Sequence, residues 1–481
     1  MIRALGLALL LLLPAMPAAA TVLLTIDDLP GEGFNDPAAH VPKDGNAART
    51  LGQARLNALW HALLRYELRF EFTIPLTVTA RMDPLGGTAN RATLAQAGPN
   101  GFFLNPSNGV LYPAAQANQV ANRDLDPDSS DITAVFNSDV DGNTVLGNAH
   151  WYYGFSGQPP GQDQDFVATA LHELLHGLGF VTLLAQDGSL PTSTSGAELP
   201  DIYFRQLAST VSGTTTALST LDAPDRAVAI TSIDKLVWNG TETIGSNSGN
   251  APLMYAPDPY EAGSSVSHFD TTLSPDELME PIATPTWRDN LAMAAMRDMG
   301  WNMPAPTATV PPVDLQLTHL ETIDASGLSR LRLQLDNLDN TSTARQGYLV
   351  ATLPDGVRYI SAQLDGNALS CSLSAGLLRC PVQALAPLQT SVTEIGLCST
   401  TDSPVTLQLT FSGPHDDAEP ANNTLSLATP VARCATSSSG GGGGGGTTGL
   451  FTLAALLFAS LGRRHLPTAL KAVLAARTMQ A

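Results

Sequence analysis

Residues 172–182 read HELLHGLGFVT, with two histidines four apart and a glutamate after the first. On one helical turn this spacing gives two imidazole ligands for a zinc ion and a carboxylate able to take a proton from zinc-bound water. A catalytic zinc normally takes three protein ligands and keeps a fourth position for water. In the extended form of the signature the third histidine falls six residues after the second. Here that position is Thr182. A hydroxyl is a poor ligand beside imidazoles, so the third ligand has to come from elsewhere in the chain.

Four other histidines precede residue 303: His40, His61, His150 and His268. His61 falls among apolar residues in helical spacing and suits a core or surface position. His150, in GNAHWYYG, is a possible ligand, although its aromatic neighbours look like a packed strand end. His268 stands in GSSVSHFDTTLSPDELMEP, where small residues would let the backbone come close to the metal helix and Met279 follows.

The element that positions the first pair is legible. DQDFVATALHELLHGLGF carries Asp163 and Asp165 where a helix N-terminus favours negative charge, and it has no proline or glycine before Gly177. His172 and His176 then share one face, and Phe166, Ala170, Leu174 and Leu178 pack elsewhere. Gly179 lets the chain leave the helix. Upstream, ARTLGQARLNALWHALLRYEL has helical spacing, with Leu51, Leu56, Leu59, Leu63 and Leu64 on one side, while FTIPLTVTARM and DITAVFNS alternate as strands. Helix, sheet and metal helix together make an α+β layout. The strand in DITAVFNSDV fits either a core position or an edge open to an extended peptide. DVDGN resembles the start of a calcium loop but lacks the later glutamate, so a hairpin turn is expected.

The whole chain narrows the partners. It has 481 residues, 24 Lys plus Arg against 44 Asp plus Glu, and a formal charge of -20, which argues against a phosphate-binding surface and makes nucleic acid a poor partner. Residues 1–20, MIRALGLALLLLLPAMPAAA, have the layout of a signal peptide, so the mature protein is expected to be exported. MPAPTATVPP then reads as a linker at residues 303–313. Before it lies the candidate catalytic domain, residues 21–302. After it, VDLQLTHL, LRLQLDNL, GYLVATL and SPVTLQLTF predict an all-β module over residues 314–434, most simply an immunoglobulin-like sandwich.

All four cysteines, Cys371, Cys380, Cys398 and Cys434, fall in that module. Export favours disulfides there; three pairings are open, and Cys371–Cys380 with Cys398–Cys434 is the local one. With no cysteine before Cys371, no thiolate can plug a zinc site in a precursor. Residues 435–481 join a glycine tract, a short apolar segment at 450–461 and the pair Arg463 and Arg464. That order implies a flexible linker and transient membrane engagement with a basic stop.

At several of these points the chain resembles known families. His172, Glu173, His176, Gly179 and Phe180, followed by SHFD at residues 267–270 and DELM at 276–279, resemble leishmanolysin-type metzincins, in particular a bacterial HExxHxxGF subfamily. TWRDNLAMAAMRDMGW looks like that family's closing helix, and DLPGEGFNDP is similar to an N-terminal segment of bacterial exported proteins with the same motif. The resemblance spans residues 131–301. It implies a zincin catalytic domain, Zn2+ bound by His172, His176 and His268, Glu173 as general base, Met279 beneath the metal, and protein or peptide substrates. The ending DAEPANN resembles repeat domains of bacterial surface proteins, and the tail resembles a GlyGly-CTERM sorting signal cut by a membrane protease.

The expectation is therefore a zinc endopeptidase, secreted or on the surface of a Gram-negative bacterium. The rival is a surface adhesin whose metal domain is structural or inactive and whose β module does the binding. Glu173 separates them, because a purely structural zinc site needs no base.

Overall fold

The structure, a computed structural model, describes residues 22–46, 48–142, 144–303, 313–325, 327–344, 346–354, 356–374, 377–401, 404–412, 419–434 and 477–480. The expected signal peptide, most of the linker and nearly all of the sorting tail lie outside them. The fold mixes α and β, with its apolar residues gathered into two cores.

The larger core is built on β1 (Val22–Ile26), α1 (Leu51–Glu67), β2 (Leu76–Asp83) and β3 (Thr93–Pro99). The hairpin β4 (Phe102–Asn105) and β5 (Val110–Pro113), helix α2 (Ala114–Ala121) and β6 (Ile132–Asn137) follow. The short strands β7 (Trp151–Tyr152) and β8 (Gln164–Asp165) lead into α3 (Phe166–Leu178). The main sheet runs in the order β1-β2-β6-β3, parallel except that β3 is antiparallel to β6, and the backbone of residues 477–480 lies antiparallel to β3. DITAVFNS thus forms an interior strand. Its core reading holds, with β2 on one side, β3 on the other, and residues 477–480 along the far side of β3.

Helix α3 presses against this sheet. Phe166 packs on Phe34, Phe136, Trp151 and Tyr153. A Cβ on Gly177 would stand 2.4 Å from Cγ2 of Ile132, so only glycine lets the helix sit this close to β6. Across α3 lies α1, whose Tyr66 hydroxyl donates to the Leu171 carbonyl at 2.9 Å. Leu59, Leu63 and Leu64 are buried as expected, while Leu51 and Leu56 are only partly covered.

Beyond α3 the chain makes a small sheet of β9 (Leu207–Ser209), β10 (Thr216–Ala217) and β11 (Leu236–Trp238). Helices α4 (Ala223–Ala229), α5 (Thr241–Ser246) and α6 (Asn290–Asp298) complete this half. DVDGN departs from the expected hairpin: residues Ser138–Asp141 form a 3₁₀ turn, and Asp141 accepts hydrogen bonds from Arg55 and Tyr153.

The described residues between 313 and 434 form two five-stranded antiparallel sheets that share the second core. The disulfides are Cys371–Cys380 and Cys398–Cys434, the local pairing. This module is docked rather than tethered. Arg379, 1% exposed, pairs with Glu67 of α1 at 3.0 Å, donates to the Val22 carbonyl at 2.9 Å and covers the Trp60 ring at 4.3 Å. Glu67 in turn accepts from the Val22 amide at 3.1 Å. Among the described residues no helix is long and apolar enough to cross a membrane.

Candidate metal centre

Helix α3 begins where Asp165 caps it, its carboxylate accepting from the Ala168 amide at 3.0 Å and from the Trp287 indole at 2.9 Å. Burial pushes this carboxyl up to about 6 against those two bonds. Asp163 lies just outside and accepts from the His150 amide. The helix ends at Gly179, in the left-handed region at φ 116°, and Phe180 N returns to the Leu175 carbonyl at 2.9 Å. A Cβ at Gly179 would also meet Cγ of Pro113 at 2.7 Å. Between the two caps, the helix presents His172, Glu173 and His176, all fully buried.

The third histidine is His268. Its Nε2 lies 3.1 Å from that of His172 and 3.2 Å from that of His176, and the last two are 3.1 Å apart. Each ring's other nitrogen faces a backbone carbonyl. His172 Nδ1 meets Leu278 O at 2.7 Å, His176 Nδ1 meets Phe180 O at 2.8 Å, and His268 Nδ1 meets Ser264 O at 2.8 Å. A carbonyl can only accept, so every Nδ1 carries its proton and every Nε2 turns a lone pair toward the same point. Three lone pairs this close repel one another unless a cation lies between them. Ligands about 2.0–2.1 Å from a tetrahedral ion stand roughly 3.3 Å apart, close to the spacing found. Burial also pushes His172 down to about 4, toward the neutral form a metal needs.

Two loops bring His268 to the helix. Tyr255 N donates to the His268 carbonyl and Asp270 N to the Leu253 carbonyl, so residues 253–255 and 268–270 form a short antiparallel pair around the Met254–Phe269 bridge. Just before His268, Val266 adopts φ 73°, costly for a β-branched residue. It is held there by its own amide donating to Tyr255 O at 2.8 Å and by the Tyr203 hydroxyl donating to its carbonyl at 2.8 Å. The DELM segment ties both halves together. Leu278 O orients His172, while Met279, fully buried, accepts from Phe269 N at 2.8 Å.

The remaining sequence candidates fall elsewhere. Thr182 is buried and donates to Asp201 at 2.8 Å, and His150 is half-buried before β7. His61 stacks on Phe155 at 4.4 Å, and burial drives it down to about 3. Asp201 and Tyr203, which hold the loops around the site, carried no motif. Their only trace in the sequence is a polar pair in an otherwise apolar stretch.

No family model matches the chain, and no curated protein matches it. Three solved structures illustrate the structural likenesses. The chitin-binding domain of Chi18aC from Streptomyces coelicolor matches at 18% identity over 21% of this chain and 95% of its own, with a TM-score of 0.17. A GH20 exo-β-N-acetylglucosaminidase from Vibrio harveyi matches at 11% identity over 26% of this chain and 19% of its own, with a TM-score of 0.16. An M1 zinc metallopeptidase from Deinococcus radiodurans matches at 17% identity over 24% of this chain and 29% of its own, with a TM-score of 0.14. The chain spans under a third of the last two proteins. At these scores none of the three bears on its fold or function.

Proposed function

We propose that the chain is an exported zinc-dependent endopeptidase, with a metzincin-like catalytic domain followed by an immunoglobulin-like sandwich. The observation that carries the reading is the convergence of His172, His176 and His268 Nε2 atoms, with Glu173 next to the first ligand on the same buried helix. Neutral imidazoles favour zinc, and three ligands leave a position for water.

A zinc ion bound there would polarise the scissile carbonyl and bring the pKa of its water near 7. The chain's own residues do the rest. Glu173 takes the proton as the water oxygen bonds to the carbonyl carbon, then passes it to the leaving amine nitrogen as the C–N bond breaks. The three carbonyls keep the ligand rings aimed. The Met279 carbonyl, accepting from Phe269 N, and the Met254–Phe269 bridge brace the strand that carries His268. Strand β3 is the place where an extended peptide would add to the sheet. Cleavage near the glycine tract, as the tail's resemblance implies, would also remove residues 477–480 from that edge. Two disulfides suit delivery outside the cytoplasm, to the medium or the cell surface.

The test is the zinc-loaded Glu173→Ala protein, with unstructured casein as substrate. It should keep its zinc and fold while losing turnover by about 10²-fold or more, since only the proton transfer is removed. Parent-like turnover in that variant would rule out the mechanism. A structural zinc domain, as in the adhesin reading, would show no cleavage by the parent.

A further inference from the structure

The phenol of Tyr255 is placed by the same strand pair that carries His268. The Met254–Phe269 bridge, with Tyr255 N on His268 O at 2.9 Å and Asp270 N on Leu253 O at 3.0 Å, sets Tyr255 beside His268, while the bond to Tyr255 O comes from Val266 N. Residues that face one another across an antiparallel pair project to the same side, and their neighbours project to the other. Met254 and Phe269 are those neighbours, and both are fully buried in the core. Tyr255 therefore shares the face of the metal ligand His268, yet it is only half-buried where the ligand is fully enclosed. Its hydroxyl donates to Glu261 Oε2 at 3.3 Å, a long bond that a stronger acceptor can replace. The turn carrying Glu261 is tied to the ligand loop, since Glu261 O accepts from the amides of Ser264 and Ser265. Tyr260, the other nearby phenol, packs against the core instead.

We propose that Tyr255 is a catalytic residue, donating a hydrogen bond from its phenol to the carbonyl oxygen that becomes negative when water adds to the scissile bond. The inference rests on the endopeptidase reading above. In that step the water oxygen bonds to the carbonyl carbon, the carbonyl π pair moves to oxygen, and the water proton goes to Glu173. The phenol keeps its proton throughout. Its bond is strongest when the charge is greatest, so it lowers the barrier without tightening substrate binding.

The test compares zinc-loaded parent, Tyr255→Phe and Tyr260→Phe proteins. Tyr255→Phe keeps the ring and should keep zinc affinity, but kcat should fall about 10²-fold with KM within about threefold. Affinity for a phosphinic peptide, a tetrahedral anion measured by calorimetry without turnover, should weaken by a similar factor. Tyr260→Phe should match the parent in both. If Tyr255→Phe keeps both kcat and phosphinate affinity within about twofold, the role of Tyr255 is wrong while the peptidase reading stands. If the parent binds no zinc and cleaves nothing, both fall together.

Discussion

Thr182 donates to Asp201 across a buried contact of 2.8 Å, and the same carboxylate oxygen accepts the Leu183 amide at 2.7 Å. The residue at the usual third-ligand position therefore fastens the exit of α3 to the segment before Tyr203. It is a structural hydroxyl, and His268 instead stands with His172 and His176 in the group that could hold a metal ion.

These two roles separate by mutation. Thr182→Ala should lower unfolding free energy by about 1–2 kcal/mol, the cost of a lost buried hydrogen bond, and leave zinc affinity unchanged. His268→Ala should cut zinc affinity by orders of magnitude and abolish cleavage, and His150→Ala should do neither. Zinc titration with a competing chelator, alongside urea denaturation, measures each. Tight zinc binding by His268→Ala with loss in His150→Ala would overturn the ligand set.

Burial gives Glu277 a pH signature. It lifts this carboxyl to about 7, against the opposing Arg288 guanidinium at 2.8 Å and the Leu291 amide. The folded value lies above the ordinary 4.5, so its contribution to stability is complete below about pH 4.5 and is lost as pH rises through about 7. Glu280 is lifted to about 7 as well and acts in the same window. Metal-free parent should therefore lose Tm between pH 5 and pH 8, and Glu277→Gln should lose less. Equal slopes for the two proteins would contradict the assignment.

Arg379 and Glu67 form a buried ion pair at the junction between the two halves, where Tyr348, Val350 and Leu377 also pack against the larger core. Arg379→Met strands the buried Glu67 carboxylate, whose pKa burial already raises, and should cost about 3–5 kcal/mol. Adding Glu67→Met should recover most of that, because the stranded charge is gone. Denaturant unfolding of the single and double variants decides it; a double variant no more stable than the single one would count against the pair as the cause.

Much of the site was legible because it is local. The caps at Asp165 and Gly179 and the shared face of His172 and His176 follow from spacings within a few residues, whereas spacing left three disulfide pairings open and the structure selects one. His268 was reachable only through its SHFD and DELM setting, since no periodicity links positions 92 apart. Strand order was not legible. Alternation in DITAVFNS fits an edge or a centre equally well, and only the partners on both sides of β6 decide. The docking of the C-terminal module was invisible for the same reason: alternation along LLRCPV gives no hint that Arg379 meets a carboxylate 312 residues away.

The Nδ1 atoms of all three clustered imidazoles are held by main-chain carbonyls, those of Leu278, Phe180 and Ser264. A carbonyl neither titrates nor disappears when a side chain is exchanged. The aim of the imidazoles is thus indifferent to acidity and tolerant of drift in the residues that supply those carbonyls. Its weak points are changes of chain path, above all at Gly179, where any side chain faces both a left-handed backbone and the ring of Pro113. Among diverging copies of this chain, the geometry of the three imidazoles should survive extensive replacement around the centre and fail first at a single glycine outside the cluster.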